Sequence, residues 1–183
     1  LACIANDLTM ADPALAQALG PNVRGRTVLS WQDGKPLTLR SLDAQAGDLG
    51  LTGDLAFAVQ GLDLLTTGNL TLKTPDVSRF SKFAQRPLSG AAEISLSGSG
   101  ALVTGAFDVT ASAHGTALSV DQPMADRLLS GPSQIDLSAR RDQTGILIRQ
   151  LDVKVPALTA ALSGHLSSDA QDLTGKLDFS DIG

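Results

Sequence analysis

Eleven residues, Leu49 to Val59, constrain this chain more than any others: L-G-L-T-G-D-L-A-F-A-V. Leu49, Leu51, Gly53, Leu55, Phe57 and Val59 fall on one parity; Gly50, Thr52, Asp54, Ala56 and Ala58 fall on the other. Successive side chains of a strand point to opposite faces, so this run predicts a strand with one apolar face and one small or polar face. The pattern returns at Ala101, Val103, Gly105, Phe107 and Val109, and again at Leu158, Ala160, Leu162, Gly164 and Leu166. Gly53, Gly105 and Gly164 hold matching places, where a glycine lets a sheet bend.

Taken in order, Leu1 to Met10 reads as a strand. Asp12-Pro13, A-L-A-Q-A-L and Gly20-Pro21 then supply the cap, body and stop of a short helix. Strand patterns follow at Val23 to Trp31 and Leu37 to Ala46, joined through Asp33-Gly34, a hairpin cue. After the central unit and a turn at Gly61 comes a strand from Leu62 to Leu72. A second helix is predicted over Asp76 to Ala84, then a strand over Ala91 to Ser97, a turn at Ser97-Gly98-Ser99-Gly100 and a strand over Leu102 to Ala111. A third helix opens at Asp121 and Pro123 and closes at Gly131-Pro132. The remainder predicts strands at Gln134 to Arg140, Ile146 to Val155, Ala157 to Ser167 and Leu173 to Ser180. The expected fold is mainly β: a single long, curled antiparallel sheet of about twelve strands forming a groove, with about three short connecting helices.

The five Phe, one Trp and no Tyr bear on what such a sheet encloses. A sandwich of this size normally fills its core with large residues, aromatics prominent among them. Here the apolar parity is mostly Leu, Val, Ile and Ala. About twelve strands at ~4.8 Å spacing make a trough on the order of 55 Å long. Aliphatic walls suit acyl chains, because each methylene withdrawn from water is worth ~0.8 kcal/mol. The candidate groove lining is Leu51, Leu55, Phe57, Ile94, Leu96, Phe107, Val109, Ile135, Leu137, Leu151, Val153, Leu158, Leu162, Leu177 and Phe179. Alternating Leu and Val also fits a dry-cored β-sandwich or solenoid, such as a structural or adhesive segment of a secreted protein.

Other chemistry has little support. With 14 Lys plus Arg against 19 Asp plus Glu and no basic cluster, nucleic acid is not an expected partner. His114, His165 and Cys3 lie apart, so no metal site is expected, nor any cofactor or catalytic residue. Asp63, Asp108, Asp136, Asp152 and Asp178 have apolar neighbours and so belong on the wet face. Arg140-Arg141 reads either as a turn charge or as a contact for a lipid phosphate at the groove mouth. No apolar run approaches the ~20 residues of a membrane-spanning helix, and the aromatic girdles of a membrane barrel are missing. The start at Leu1 and the stop just after L-D-F-S-D-I read as cuts through a longer pattern, so residues 1–183 are expected to form one continuous segment of a larger protein.

Five stretches together carry a family resemblance: A-D-P-A-L-A-Q-A-L-G-P (Ala11 to Pro21), L-G-L-T-G-D-L (Leu49 to Leu55), T-P-D-V-S-R-F-S-K-F-A-Q-R-P-L-S-G (Thr74 to Gly90), A-D-R-L-L-S-G (Ala125 to Gly131) and L-T-A-A-L-S-G-H-L (Leu158 to Leu166). In this order the chain resembles the periplasmic repeats of the TamB family, AsmA-like bridge-type lipid-transfer proteins of Gram-negative bacteria. The resemblance implies a β-taco groove and residence in the periplasm, with an inner-membrane anchor elsewhere in the chain. It implies phospholipid movement toward the outer membrane, in support of outer-membrane biogenesis. It also implies a partnership with an outer-membrane assembly barrel of the TamA type, through regions outside these residues.

Overall fold

A computed structural model describes residues 1–5 and 9–180. Its strands form one antiparallel sheet in strict sequence order, each pairing with the strands before and after it: β1 (Ala2–Ala5), β2 (Val23–Ser30), β3 (Leu37–Ala46), β4 (Leu49–Gln60), β5 (Asp63–Thr74), β6 (Ser89–Ala101), β7 (Phe107–Ser119), β8 (Pro132–Asp142), β9 (Gly145–Val155), β10 (Leu158–Leu166) and β11 (Gln171–Phe179). The first and last strands do not pair, so the sheet stays open. Eleven strands rather than about twelve shorten the predicted trough to roughly 48 Å.

The connections segregate by edge. Along one edge lie α1 (Pro13–Leu19), the tight Gly47-Asp48 turn, a 3₁₀ turn (Val77–Phe80) running into α2 (Ser81–Ala84), α3 (Pro123–Leu129), and Pro156-Ala157. Along the other lie only hairpin tips, at residues 31–36, 61–62, 102–106, 143–144 and 167–170. A meander makes this unavoidable, because odd-to-even connections all fall at one end of the strands and even-to-odd connections at the other.

The helix punctuation acts as read. Asp12 Oδ1 accepts from the Ala14 amide at 2.7 Å, with Pro13 in the first turn. Asp76 caps the 3₁₀ turn through the Ser78 amide at 2.8 Å. The third helix differs from expectation. Its N-cap is Gln122, with no side-chain cap, and it ends at Ser130; Asp126 instead accepts from the Val120 amide at 2.7 Å.

The sequence misplaces one hairpin. Ser97-Gly98-Ser99-Gly100 is not a turn but the interior of β6, and the turn falls at residues 102–106, so Val103 and Gly105 are not strand residues. Two interactions fix this choice. Gly98 lies opposite Gly68 and Val109 inside the ladder, and Asp63 anchors the loop by accepting from the Val103 amide at 2.9 Å and the Thr104 hydroxyl at 2.7 Å. Leu1 to Met10 is also shortened: β1 spans Ala2–Ala5, Thr9 and Met10 are outside it, and residues 6–8 lie outside the described residues.

Gly53 and Gly164 do mark irregular points, with φ of 153° and 150°. Gly68 and Gly98, which face each other, supply the kink that Gly105 was expected to give. Their φ values are 154° and 145°, and a Cβ there would strike the carbonyl oxygens of Asp54 and Asp108. Register shifts at Arg40 and Ser41 in β3 and at Arg149 in β9 lie in the same band across the sheet. Irregularity at one level of successive strands is how a sheet bends about a line perpendicular to them.

Candidate apolar binding face

The register decides which residues share a face. One row runs Ala44, Leu51, Leu72, Ile94, Ala113, Ile135, Val153, Ala160, Leu177 from β3 to β11. The next runs Leu42, Gly53, Leu70, Leu96, Ala111, Leu137, Leu151, Leu162, Gly175. A third holds Leu39, Leu55, Gly68, Gly98, Val109, Ala139, Ile148 and Gly164, and a fourth Leu37, Phe57, Thr66, Gly100, Phe107, Arg141, Ile146 and Leu166. Leu158 and Phe179 pair at the helical edge. Every candidate lining residue predicted from parity therefore lies on this one face.

Alternation alone did not guarantee that result in β9. Ile146 and Ile148 have one parity and Leu151 and Val153 the other, and the extra residue at Arg149 brings all four to the same side. The alternation missed Ile146 and Ile148 for this reason. It also passed over Leu70 and Leu72, which the pattern Leu70-Thr71-Leu72-Lys73 does signal.

The face is not a packed core. Among the described residues no large side chain is fully buried, and the buried apolar residues are only Ala18, Ala46, Leu49 and Ala139. The remaining lining side chains are half-buried or exposed, Ile94 and Leu96 at 43% and 41% and Phe179 at 70%. Where Gly68 and Gly98 meet, the face sinks into a hollow of about 210 Å³ that Leu55, Leu70, Leu96, Phe107 and Val109 wall. A buried hydroxyl, Thr66 Oγ1, has no hydrogen-bond partner among the described residues and belongs to the same hollow.

The helical edge is covered between β3 and β8, though not at Phe179 in β11. There Ala46, Leu49, Thr74 and Ser133 are buried on the apolar face, with Ala18 of α1. Gln17 donates to the Ser78 carbonyl at 3.2 Å, tying α1 to the 3₁₀ turn. Arg79 donates to the Ala46 carbonyl at 2.9 Å and pairs with Asp48 at 2.9 Å, tying that turn to the β3–β4 hairpin.

The opposite face is a polar ladder. Ser112 and Gln134 donate to Asp136 at 2.7 and 2.6 Å, holding its carboxyl below the usual carboxylate range, the Ser112 bond contributing most. Lys73 pairs with Glu93 and Lys176 with Asp178, both at 3.0 Å, and Arg149 pairs with Asp108. Asp63, Asp108, Asp136, Asp152 and Asp178 all lie on this side. Such exposed pairs contribute solubility more than stability.

Among the described residues, no group of three or more His, Cys, Asp and Glu could hold a metal ion, and no helix is long and apolar enough to cross a membrane. Compared with family models, curated proteins and solved structures, the chain matches none of them.

Proposed function

We propose that this chain lines part of a phospholipid conduit, its apolar face holding acyl chains, as a periplasmic segment of a TamB-like bridge protein. One observation carries the reading: the lining residues of eight successive strands, β4 to β11, share one face, and away from the helical edge nothing among the described residues covers it. An apolar surface this extended is not left in water without a partner. Acyl chains fit because the central rows are aliphatic and glycine, with no polar side chain demanding a particular orientation or chain length. Strict sequence order makes the trough continuous across the strands, so a tail moving along it meets similar walls throughout. The reading is non-catalytic: the wall lowers the cost of moving a tail through water, and the polar ladder keeps the outside soluble. Placement between the inner and outer membranes follows the family resemblance, as does any role of a TamA-type barrel.

The test is native mass spectrometry of the chain purified in mild detergent from bacterial membranes. Phospholipid is expected to co-purify, and Phe107→Asp, set beside the hollow, is expected to lose it while keeping the β-sheet circular dichroism signal. A folded, lipid-free wild-type chain would contradict the reading and point to a protein layer as the cover.

A further inference from the structure

Arg140 and Arg141 are neighbours in sequence, but the ladder sends them to opposite faces. Arg140 lies opposite Asp108 and Leu147 on the polar side and pairs with Asp142 at 3.3 Å. Arg141 lies opposite Phe107 and Ile146, in the apolar row nearest the hairpin tips. In the four apolar rows it is the one charged side chain. It is exposed and forms no ion pair among the described residues. Its Nη1 lies 3.9 Å from where a side chain on Gly105 would begin, so the guanidinium reaches the β6–β7 hairpin tip.

Two further features align with it. Between the β6–β7 and β8–β9 tips lies an open hollow of about 630 Å³, lined by Thr104, Ala106, Arg141, Asp142, Gln143 and Thr144. Its one carboxylate, Asp142, is already engaged by Arg140 and by the Thr144 amide at 2.8 Å. In the other direction the row passes Phe107 and side-chain-free Gly100 to Thr66, whose unpartnered hydroxyl belongs to the glycine-floored hollow. From Thr66 on β5 to Arg141 on β8 is three strand spacings, roughly 14 Å.

We infer that Arg141 is the headgroup contact of the groove: it binds the anionic head of a single amphiphile at the hairpin edge, while the tail lies past Phe107 in the Gly68–Gly98 hollow. This rests on the conduit reading and deepens it. A lone cation on an apolar wall supplies charge complementarity for an anionic lipid and none for a neutral one, and guanidinium matches phosphate and carboxylate oxygens in a bidentate fork. It also fixes polarity in the trough, with the head at the open hairpin edge of β8 and the tail running across the strands toward β5. Thr66 stands at the far end of that row, on the wall of the hollow that takes the tail.

The experiment titrates the chain with dodecyl phosphate, dodecyl maltoside and inorganic phosphate, each alkyl probe below its micelle concentration. Wild type is expected to prefer dodecyl phosphate to the maltoside by about threefold to fivefold at low salt, as for an exposed charge pair, and less at high salt. Arg141→Gln should abolish that preference without weakening maltoside binding, and Lys176→Gln, which removes an exposed cation from the polar face of β11, should leave it intact. Equal wild-type affinity for both alkyl probes, or equal losses in the Arg141 and Lys176 variants, overturns the headgroup assignment and leaves the groove standing. Inorganic phosphate binding as tightly as dodecyl phosphate overturns it in favour of a free-anion site. If neither alkyl probe binds, the conduit reading itself fails, and the assignment with it.

Discussion

The two long edges of the apolar face carry similar residues and meet opposite fates. At the helical edge, Leu49 is 6% exposed, enclosed with Ala18, Ala46 and Thr74 by α1 and the 3₁₀ turn. At the hairpin edge, Leu62 is 97% exposed, and Trp31, Val59, Leu102 and Val103 are also open to solvent. A leucine in an alternating sequence pattern is thus not by itself a core residue. What separates the edges is the length of the connections, since only a helical connector brings enough chain to fold back over the sheet.

Substituting a charge at the closed edge should have the largest effect. Leu49→Asp places an unpaired carboxylate in the small covered core and is expected to cost about 4 kcal/mol, read by urea unfolding. Next comes the kink band, which both edges share. Gly98→Ala puts a Cβ against the Asp108 carbonyl and a residue at φ 145°, and should cost about 2 to 3 kcal/mol in the same assay. A smaller effect is expected where Asp63 anchors the hairpin tip. Its carboxyl is held below the usual range first by the Val103 amide and then by the Thr104 hydroxyl. A depressed carboxylate stabilises fully above its unfolded pKa of about 4 and stops doing so as pH falls through the lower folded value. Hydrogen exchange at Val103 and Thr104 should therefore quicken relative to Leu49 as pH drops below about 4, once corrected for intrinsic rates. Smallest of all, Leu62→Asp should change stability by no more than about 0.5 kcal/mol. A loss at Leu62 matching that at Leu49 would erase the difference between the edges.

Much of this was legible in the sequence, because strand parity is a local property. The period-two pattern gave the sheet, the wet face and fifteen residues that share the apolar face, but not Leu70, Leu72, Ile146 or Ile148. Proline and aspartate punctuation gave the short helices. Glycine was the ambiguous signal: Gly98 and Gly105 look alike in sequence, yet one kinks a strand at φ 145° and the other sits in a loop at φ 69°. The choice between them depends on Asp63, some forty residues away and on a different strand. The bulge at Arg149 was equally hidden, since strict alternation through β9 would have divided Ile146 and Ile148 from Leu151 and Val153. The separate faces of Arg140 and Arg141 follow from β8 continuing to Asp142, past the expected strand end at Arg140.

The central claim is that lipid meets one face of this sheet and not the other. Leu96 and Ser97 test it directly, being adjacent on β6, both exposed, and directed to opposite sides. A photo-crosslinking amino acid would be placed at each position in the chain expressed in a Gram-negative cell, and the adducts identified by mass spectrometry. The account predicts phospholipid adducts at position 96 and none above background at 97. Equal lipid labelling at both positions, or protein adducts alone at 96, would contradict it.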